Sequence, residues 1–165
     1  MDSSFDSFTA LLDPPVHVVT AADGAELGGC LVGFAGQCSI DPPRFVVWIS
    51  KANHTYGVAT RSDTLAVHLI PPDRPDLAEL FGGRSGDSVD KFAGVAWTVG
   101  PSGVPLLTDA EACFVGRVID RADWGDHMGF LLEPVGGRAP RTGTAAPDTP
   151  LTLHDVTDIE PGHPA

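Results

Sequence analysis

The run from Ser50 to Thr55, Ser-Lys-Ala-Asn-His-Thr, gathers two hydroxyls, an ammonium and an amide directly behind the apolar run Phe45 to Ile49. At the end of a strand, those side chains and the free backbone N–H groups around them can converge on a phosphate. The same residues also suit a capped surface turn. Lys51 and Lys91 are the only lysines, so a lysine inside such a cluster is conspicuous. Two further sets have chemical potential. Gly28 to Gly33 (GGCLVG) would let backbone approach a planar ligand where a Cβ would hold it away, although glycines in strands also mark bulges and tight barrel corners. Gly125-Asp126-His127 puts an imidazole beside a carboxylate at a loop–strand junction, as a donor or charge partner.

These groups need rigid elements to hold them. Val16 to Thr20 and Cys30 to Phe34 read as strands joined through the turn residues Asp23-Gly24, and Asp41-Pro42-Pro43 sets the start of a buried strand over Phe45 to Ser50. Asn53 or Thr55 can cap a short helix over Tyr56 to Arg61, and Leu65 to Ile70 is a further strand. Phe5, Phe8, Leu11 and Leu12 predict an amphipathic helix over residues 5–13, packed across one end of the sheet and stopped by Pro14-Pro15. Helical turns are expected over Asp76 to Phe81 and Asp87 to Phe92. Two long strands follow, Ala112 to Arg121 and His127 to Val135; residues 136–150, rich in Gly, Pro, Arg and Thr, read as a mobile excursion. With no helix–strand alternation and no internal repeat, the fold class is mainly β: an antiparallel barrel with a few short peripheral helices. His17 and His68 fall inside strand patterns as hydrogen-bonded barrel residues.

The chain of 165 residues suits a single domain, taken as residues 1–157, with 158–165 as a flexible acidic tail. A formal charge of −12, from 22 acidic and 10 basic residues, disfavours a nucleic-acid partner. Cys30, Cys38 and Cys113 form no C-x-x-C pair, so neither a disulfide framework nor a zinc site is indicated, and neither cysteine near the cluster has a histidine beside it to activate a thiolate. Met1-Asp2-Ser3-Ser4 lacks a basic leader and no apolar run is long enough to span a bilayer, which places the expected location in the cytoplasm, away from membranes. A phosphate loop, a dinucleotide-binding glycine fingerprint and a G-x-S-x-G elbow are all absent.

The ordered series of Ser39-x-Asp41-Pro42-Pro43, Lys51-x-Asn53-x-Thr55, Lys91-Phe92-x-Gly94-Val95-x-Trp97 and Gly125-Asp126-His127 resembles the flavin reductase-like family. The resemblance covers roughly Phe8 to Leu153. It implies an FMN-binding split barrel, a homodimer with flavin near the subunit interface, and an NAD(P)H-dependent reductase that hands reduced FMN or FAD to a partner monooxygenase. By the same resemblance, Cys30, Leu31, Val32, Gly33, Gln37, Cys38 and Ser39 line the flavin ring, while Ser50, Lys51, Asn53, His54 and Thr55 take its phosphate. His127 is implied beside flavin and nicotinamide, positioning them or stabilising charge. The chain departs from the family's hydroxyl-rich pattern between Gly29 and Asp41: Leu31 stands for a threonine, Gly33, Phe34, Gly36 and Gln37 stand for hydroxyl residues, and Ser39 remains. Main-chain contacts survive those changes and side-chain hydroxyl contacts do not. Two further readings follow: a protein using bound flavin or deazaflavin, and a barrel kept as a non-enzymatic binding or scaffold protein.

Overall fold

The computed structural model describes residues 3–140 and 149–163. Seven strands form one antiparallel sheet: β1 (His17–Asp23), β2 (Glu26–Val32), β3 (Ala35–Ser39), β4 (Arg44–Ser50), β5 (Thr64–Leu69), β8 (Ala112–Asp123) and β9 (His127–Arg138). Their order is β2-β1-β5-β8-β9-β4-β3, with the short hairpin β6 (Trp97–Val99) and β7 (Pro105–Leu107) lying apart. The two edges, β2 and β3, are consecutive in sequence, separated only by Gly33 and Phe34. The sheet therefore curls until its edges approach: the β3–β4 pairing extends to Phe34, whose carbonyl accepts from the Trp48 N–H at 2.9 Å, and Val32 of β2 shares a core with Val47 and Ile49 of β4. This is the antiparallel split barrel that the sequence predicts.

Burial explains the composition of the strands. Val19 and Ala21 face the barrel interior, where they meet Leu65, Val67, Phe130 and Leu132, whereas Val16 and Val18 face a second core with Ile70, Leu77 and Phe81. A strand covered on both faces needs no polar alternation, and β1 accordingly reads His-Val-Val-Thr-Ala-Ala. Gly24, at φ +59°, makes the tight turn into β2, and Arg61 ties this hairpin tip to the barrel by donating to Asp23 and Glu26, each at 2.6 Å. Helix α2 (His54–Thr60) is capped by Asn53, whose side chain accepts from the Thr55 N–H, and its Val58 and Ala59 plug one barrel end. Helix α3 (Pro75–Gly83) packs Leu77, Ala78 and Phe81 on the outside of β1 and β2. No helix among the described residues is long and apolar enough to cross a membrane.

Several local expectations are corrected. Helix α1 covers only Ser3–Thr9 and buries nothing: Phe5, Phe8 and Leu11 are exposed, so it does not pack across a barrel end. The helical turn expected over Asp87 to Phe92 begins later, as a 3₁₀ turn over Lys91–Gly94 that Asp90 caps. Strands β8 and β9 run longer than their sequence patterns, shrinking the intervening loop to Trp124-Gly125-Asp126 and taking Gly136 to Arg138 into β9. Residues 141–148 of the expected excursion lie outside the described residues. Of the two strand histidines, His68 is bonded at both nitrogens, with Val18 O at 2.9 Å and the Leu107 N–H at 3.1 Å. His17 is buried but its Nδ1 has no hydrogen-bond partner among the described residues, because its neighbours at the open barrel end, among them Phe45 and Phe114, are apolar.

Candidate functional site

A cleft of about 320 Å³ lies where the sheet splits. One wall is Cys30 to Phe34, the far wall is Trp48 to Ser50 with Asn53, Asp126 and His127, and the open side is flanked by Gly82 and the C-terminal residues Leu153 to His163. The antiparallel pairing of β4 with β9 sets Ser50 directly opposite His127, which brings the Ser-Lys-x-Asn and Gly-Asp-His motifs to one end of the cleft.

That end is polar and has unused donors. Ser50 Oγ accepts from the Ala52 N–H at 3.3 Å, so its own hydroxyl proton remains available; Asn53 Oδ1 accepts from the Thr55 N–H at 2.9 Å, which leaves the amide NH₂. His127 Nδ1 lies 2.7 Å from Asp126 Oδ1, and the imidazole holds that carboxyl below the usual carboxylate range. An Nδ1–H given to Asp126 leaves Nε2 as the nitrogen open to other partners. The His127 ring also rests against Phe34, with centroids 5.2 Å apart.

The rest of the phosphate set is placed differently. The Lys51 ammonium reaches Asp123 Oδ1 at 2.5 Å across the β8–β9 turn and does not line the cleft. Thr55 is buried and its hydroxyl turns toward the Cys30 thiol. His54 faces a separate depression of about 450 Å³ on the other side of β2, with Nδ1 2.8 Å from Asp87 and Nε2 3.8 Å from Glu26.

The other end is apolar. Leu31, Val32 and Gly33 line it as expected, joined by Trp48, Leu153 and Val156, while Phe34 bridges toward His127. Gln37 and Cys38 are exposed on β3 and, with Ser39, stand outside the cleft, Gln37 donating to the Ser39 carbonyl at 3.2 Å. Burial pushes the Cys30 thiol up to about 11, which suits a packing residue and not a nucleophile. The glycines of β2 serve packing more than ligand approach: a Cβ on Gly28 would sit 3.2 Å from Thr55 Cα and Val58 Cβ, and one on Gly29 would sit 2.6 Å from the Phe81 ring. Of Gly28, Gly29 and Gly33, Gly33 is the one that opens toward the cleft, where an added Cβ would lie 3.5 Å from Leu153 Cδ1.

Lys91 is a strut behind this wall. Buried at 3% exposure, its ammonium donates to the Gly29 carbonyl at 2.8 Å and the Phe81 carbonyl at 3.0 Å and lies 5.7 Å from the Phe81 ring centre, so it ties β2 to the end of α3. Desolvation lowers its pKa. Trp48 shares a strand face with Ser50, two residues on, and could have been found by that alternation. The C-terminal lining residues carried no periodic signal.

An apolar slot ending in O–H and N–H donors fits a planar conjugated ring that carries a phosphate tail. Among the described residues no group of three or more His, Cys, Asp or Glu side chains could hold a metal ion. Residues 10–157 match the family described as flavin reductase like domain. The FMN reductase (NADH) RutF of Methylorubrum extorquens is 38% identical over 117 residues, which cover 68% of this chain and 54% of that relative. The flavin-dependent monooxygenase reductase subunit HsaB of Rhodococcus jostii is 28% identical over 146 residues, 87% of this chain and 70% of that one. The chain spans 54% and 65% of the length of two RutF relatives it matches. Among solved structures, the NADH:FAD oxidoreductase SgcE6 of Streptomyces globisporus, in complex with NAD and FAD fragments, aligns with a TM-score of 0.73 at 26% identity, covering 83% of this chain and 81% of that one. The barrel, the motifs gathered at its split and these matches agree that the chain belongs to the flavin reductase-like family.

Proposed function

We propose that the protein is an NAD(P)H-dependent flavin reductase, a cytoplasmic homodimer that supplies reduced FMN or FAD to a partner monooxygenase. The observation that carries the reading is the convergence of Ser50, Asn53 and His127 at one end of a cleft whose other end is apolar. The RutF and HsaB matches support the reaction and the monooxygenase partner respectively. The flavin, when bound, accepts hydride from the nicotinamide and carries it away.

The side chains divide the remaining work. The Ser50 hydroxyl and the Asn53 amide donate to the phosphate, and with Lys51 engaged by Asp123 they do so as neutral donors. Leu31, Val32 and Trp48 exclude water from the ring. Asp126 fixes the orientation of the His127 ring, so that Nε2 faces the cleft, where it can take up a proton as negative charge develops beside it. Lys91 and Phe81 keep the β2 wall in place from behind.

Titration of the purified protein with FMN and FAD, followed by NADH and NADPH oxidation with each flavin, tests the reading. Saturable flavin binding with flavin-dependent oxidation is expected; neither binding nor oxidation with any pairing would overturn it. Binding of a flavin or deazaflavin that never leaves during turnover would favour the bound-cofactor alternative, for which the presence of Leu31 in the slot is the specific observation.

A further inference from the structure

The family match ends at residue 157, yet the chain continues over the cleft. Beyond the 3₁₀ turn His154–Val156, Ile159, Pro161 and His163 all line it. Residues 158–163 of the stretch expected as a flexible tail therefore make specific contacts. The Gly162 N–H donates to the Gly82 carbonyl at 3.1 Å, and the Ile159 N–H donates to the Val156 carbonyl at 3.1 Å. Ile159 packs with the second core against the end of α3, close enough that a Cβ on Gly83 would lie 3.3 Å from its Cγ2. Gly162 sits against the Arg84 backbone, where a Cβ would come within 2.5 Å of the Arg84 carbonyl carbon. Only glycine allows that seat.

Leu31 lines the same cleft from β2, and Gly82 joins the two walls: its carbonyl receives Gly162, and a Cβ on Gly82 would lie 2.8 Å from Leu31 Cδ2 and 3.6 Å from Ile159 Cγ2. We propose that residues 158–163 form a strap whose apolar residues Ile159 and Pro161, with Leu31, clamp the ring of a flavin. The inference rests on the flavin reading above and adds the means of retention. Apolar burial between Leu31 and Ile159 holds the ring where side-chain hydroxyls are missing, while Ser50 and Asn53 hold the phosphate separately. Strap and phosphate residues are thus separable by ligand: riboflavin offers the ring without the phosphate, and FMN offers both.

The test is equilibrium binding of riboflavin and FMN, followed by quenching of flavin fluorescence, to the intact protein and to two variants. Gly162→Val unseats the strap from Arg84 without altering a cleft-lining side chain, and Ile159→Ser removes apolar surface at a half-buried position with little demand on folding. Each variant is expected to weaken riboflavin and FMN by the same factor, about tenfold, whereas Ser50→Ala weakens FMN and leaves riboflavin unchanged. Unchanged or tighter flavin binding in both strap variants, with circular dichroism like that of the intact protein, overturns the clamp and marks the segment as a bystander or a block. If the intact protein binds neither flavin, the proposed function fails, and the clamp falls with it.

Discussion

The chain's two lysines stand by opposite walls of the cleft, Lys91 behind β2 and Lys51 past the end of β4, and illustrate two fates of one residue type. Lys91, behind β2, is buried and surrounded by carbonyl oxygens and an aromatic face; Lys51, at the rim, is a third exposed and paired with the exposed Asp123. Both sit in motifs that carry the family resemblance. Burial separates them: an ammonium stripped of water must have its donors satisfied by the fold, so it becomes a strut, while a hydrated one remains a rim charge whose pairing contributes little. The back of the cleft is built from buried polar groups that belong to the fold, and the front from half-exposed groups with donors to spare.

If that contrast holds, acid should damage the buried side first and most. Burial lowers the pKa of His17 and of His68 to about 4, against an unfolded value near 6.5. Both imidazoles are neutral in folded and unfolded chains above about pH 6.5, and below it the unfolded chain binds the protons that the fold refuses. Stability is therefore full above about 6.5 and falls as the pH drops toward 4, by roughly 3 kcal/mol for each histidine at the acid end. Urea denaturation between pH 7.5 and 4.5 measures this, and His17→Leu should remove about half of the histidine-linked loss.

Next in size is Lys91→Ala, which leaves the Gly29 and Phe81 carbonyls without their donor and opens a cavity behind β2. A loss of about 3 kcal/mol in urea denaturation is expected. A fully stable variant with specifically weakened FMN binding would instead move Lys91 to the ligand side and break the comparison. At the front, His127→Ala should lower kcat/KM for flavin-dependent NADH oxidation by roughly tenfold, about 1.4 kcal/mol of barrier, with the melting temperature little changed. Asn53→Ala removes the cap of α2 and should cost about 1 kcal/mol in thermal unfolding, along with FMN affinity but not riboflavin affinity. The smallest effect belongs to Lys51→Ala, at most about 1 kcal/mol of stability and shrinking with added salt.

Much of this arrangement is legible in the sequence. Strand and turn chemistry place β1, β4, β5, β8 and β9, because β-branched runs bounded by Asp-Gly or Pro-Pro leave little choice of element; the strand expected over Cys30 to Phe34 instead spans Glu26–Val32, with Gly33 and Phe34 in the break before β3. The resemblance assigns Ser50 and His127 to one ligand, but the pairing of β4 with β9 that brings them together is not written in either strand's pattern. What could not be read depends on contacts far apart in the chain. Lys91 meets Gly29 across 62 positions, and no local pattern announces it. The β2 glycines read in sequence as room for a ligand, but the crowding that requires them comes from α2 and Phe81. Helix α1 has the periodicity of a packed helix without a partner surface among the described residues, since periodicity reports only that a face exists. The C-terminal strap shows no periodicity because single residues anchor it.

Of three tryptophans, Trp48 forms part of the cleft wall, with its ring 5.0 Å from that of Trp124, and Trp97 lies behind α3, donating its indole N–H to the Phe92 carbonyl at 3.2 Å. The protein thus has a native optical probe at its site. An isoalloxazine ring absorbs where indoles emit, so a flavin entering the slot would drain the excited state of Trp48 and, through it, of Trp124, leaving Trp97 as the dimmed remainder. Ligand arrival can then be followed by the chain's own light, without a label and without turnover.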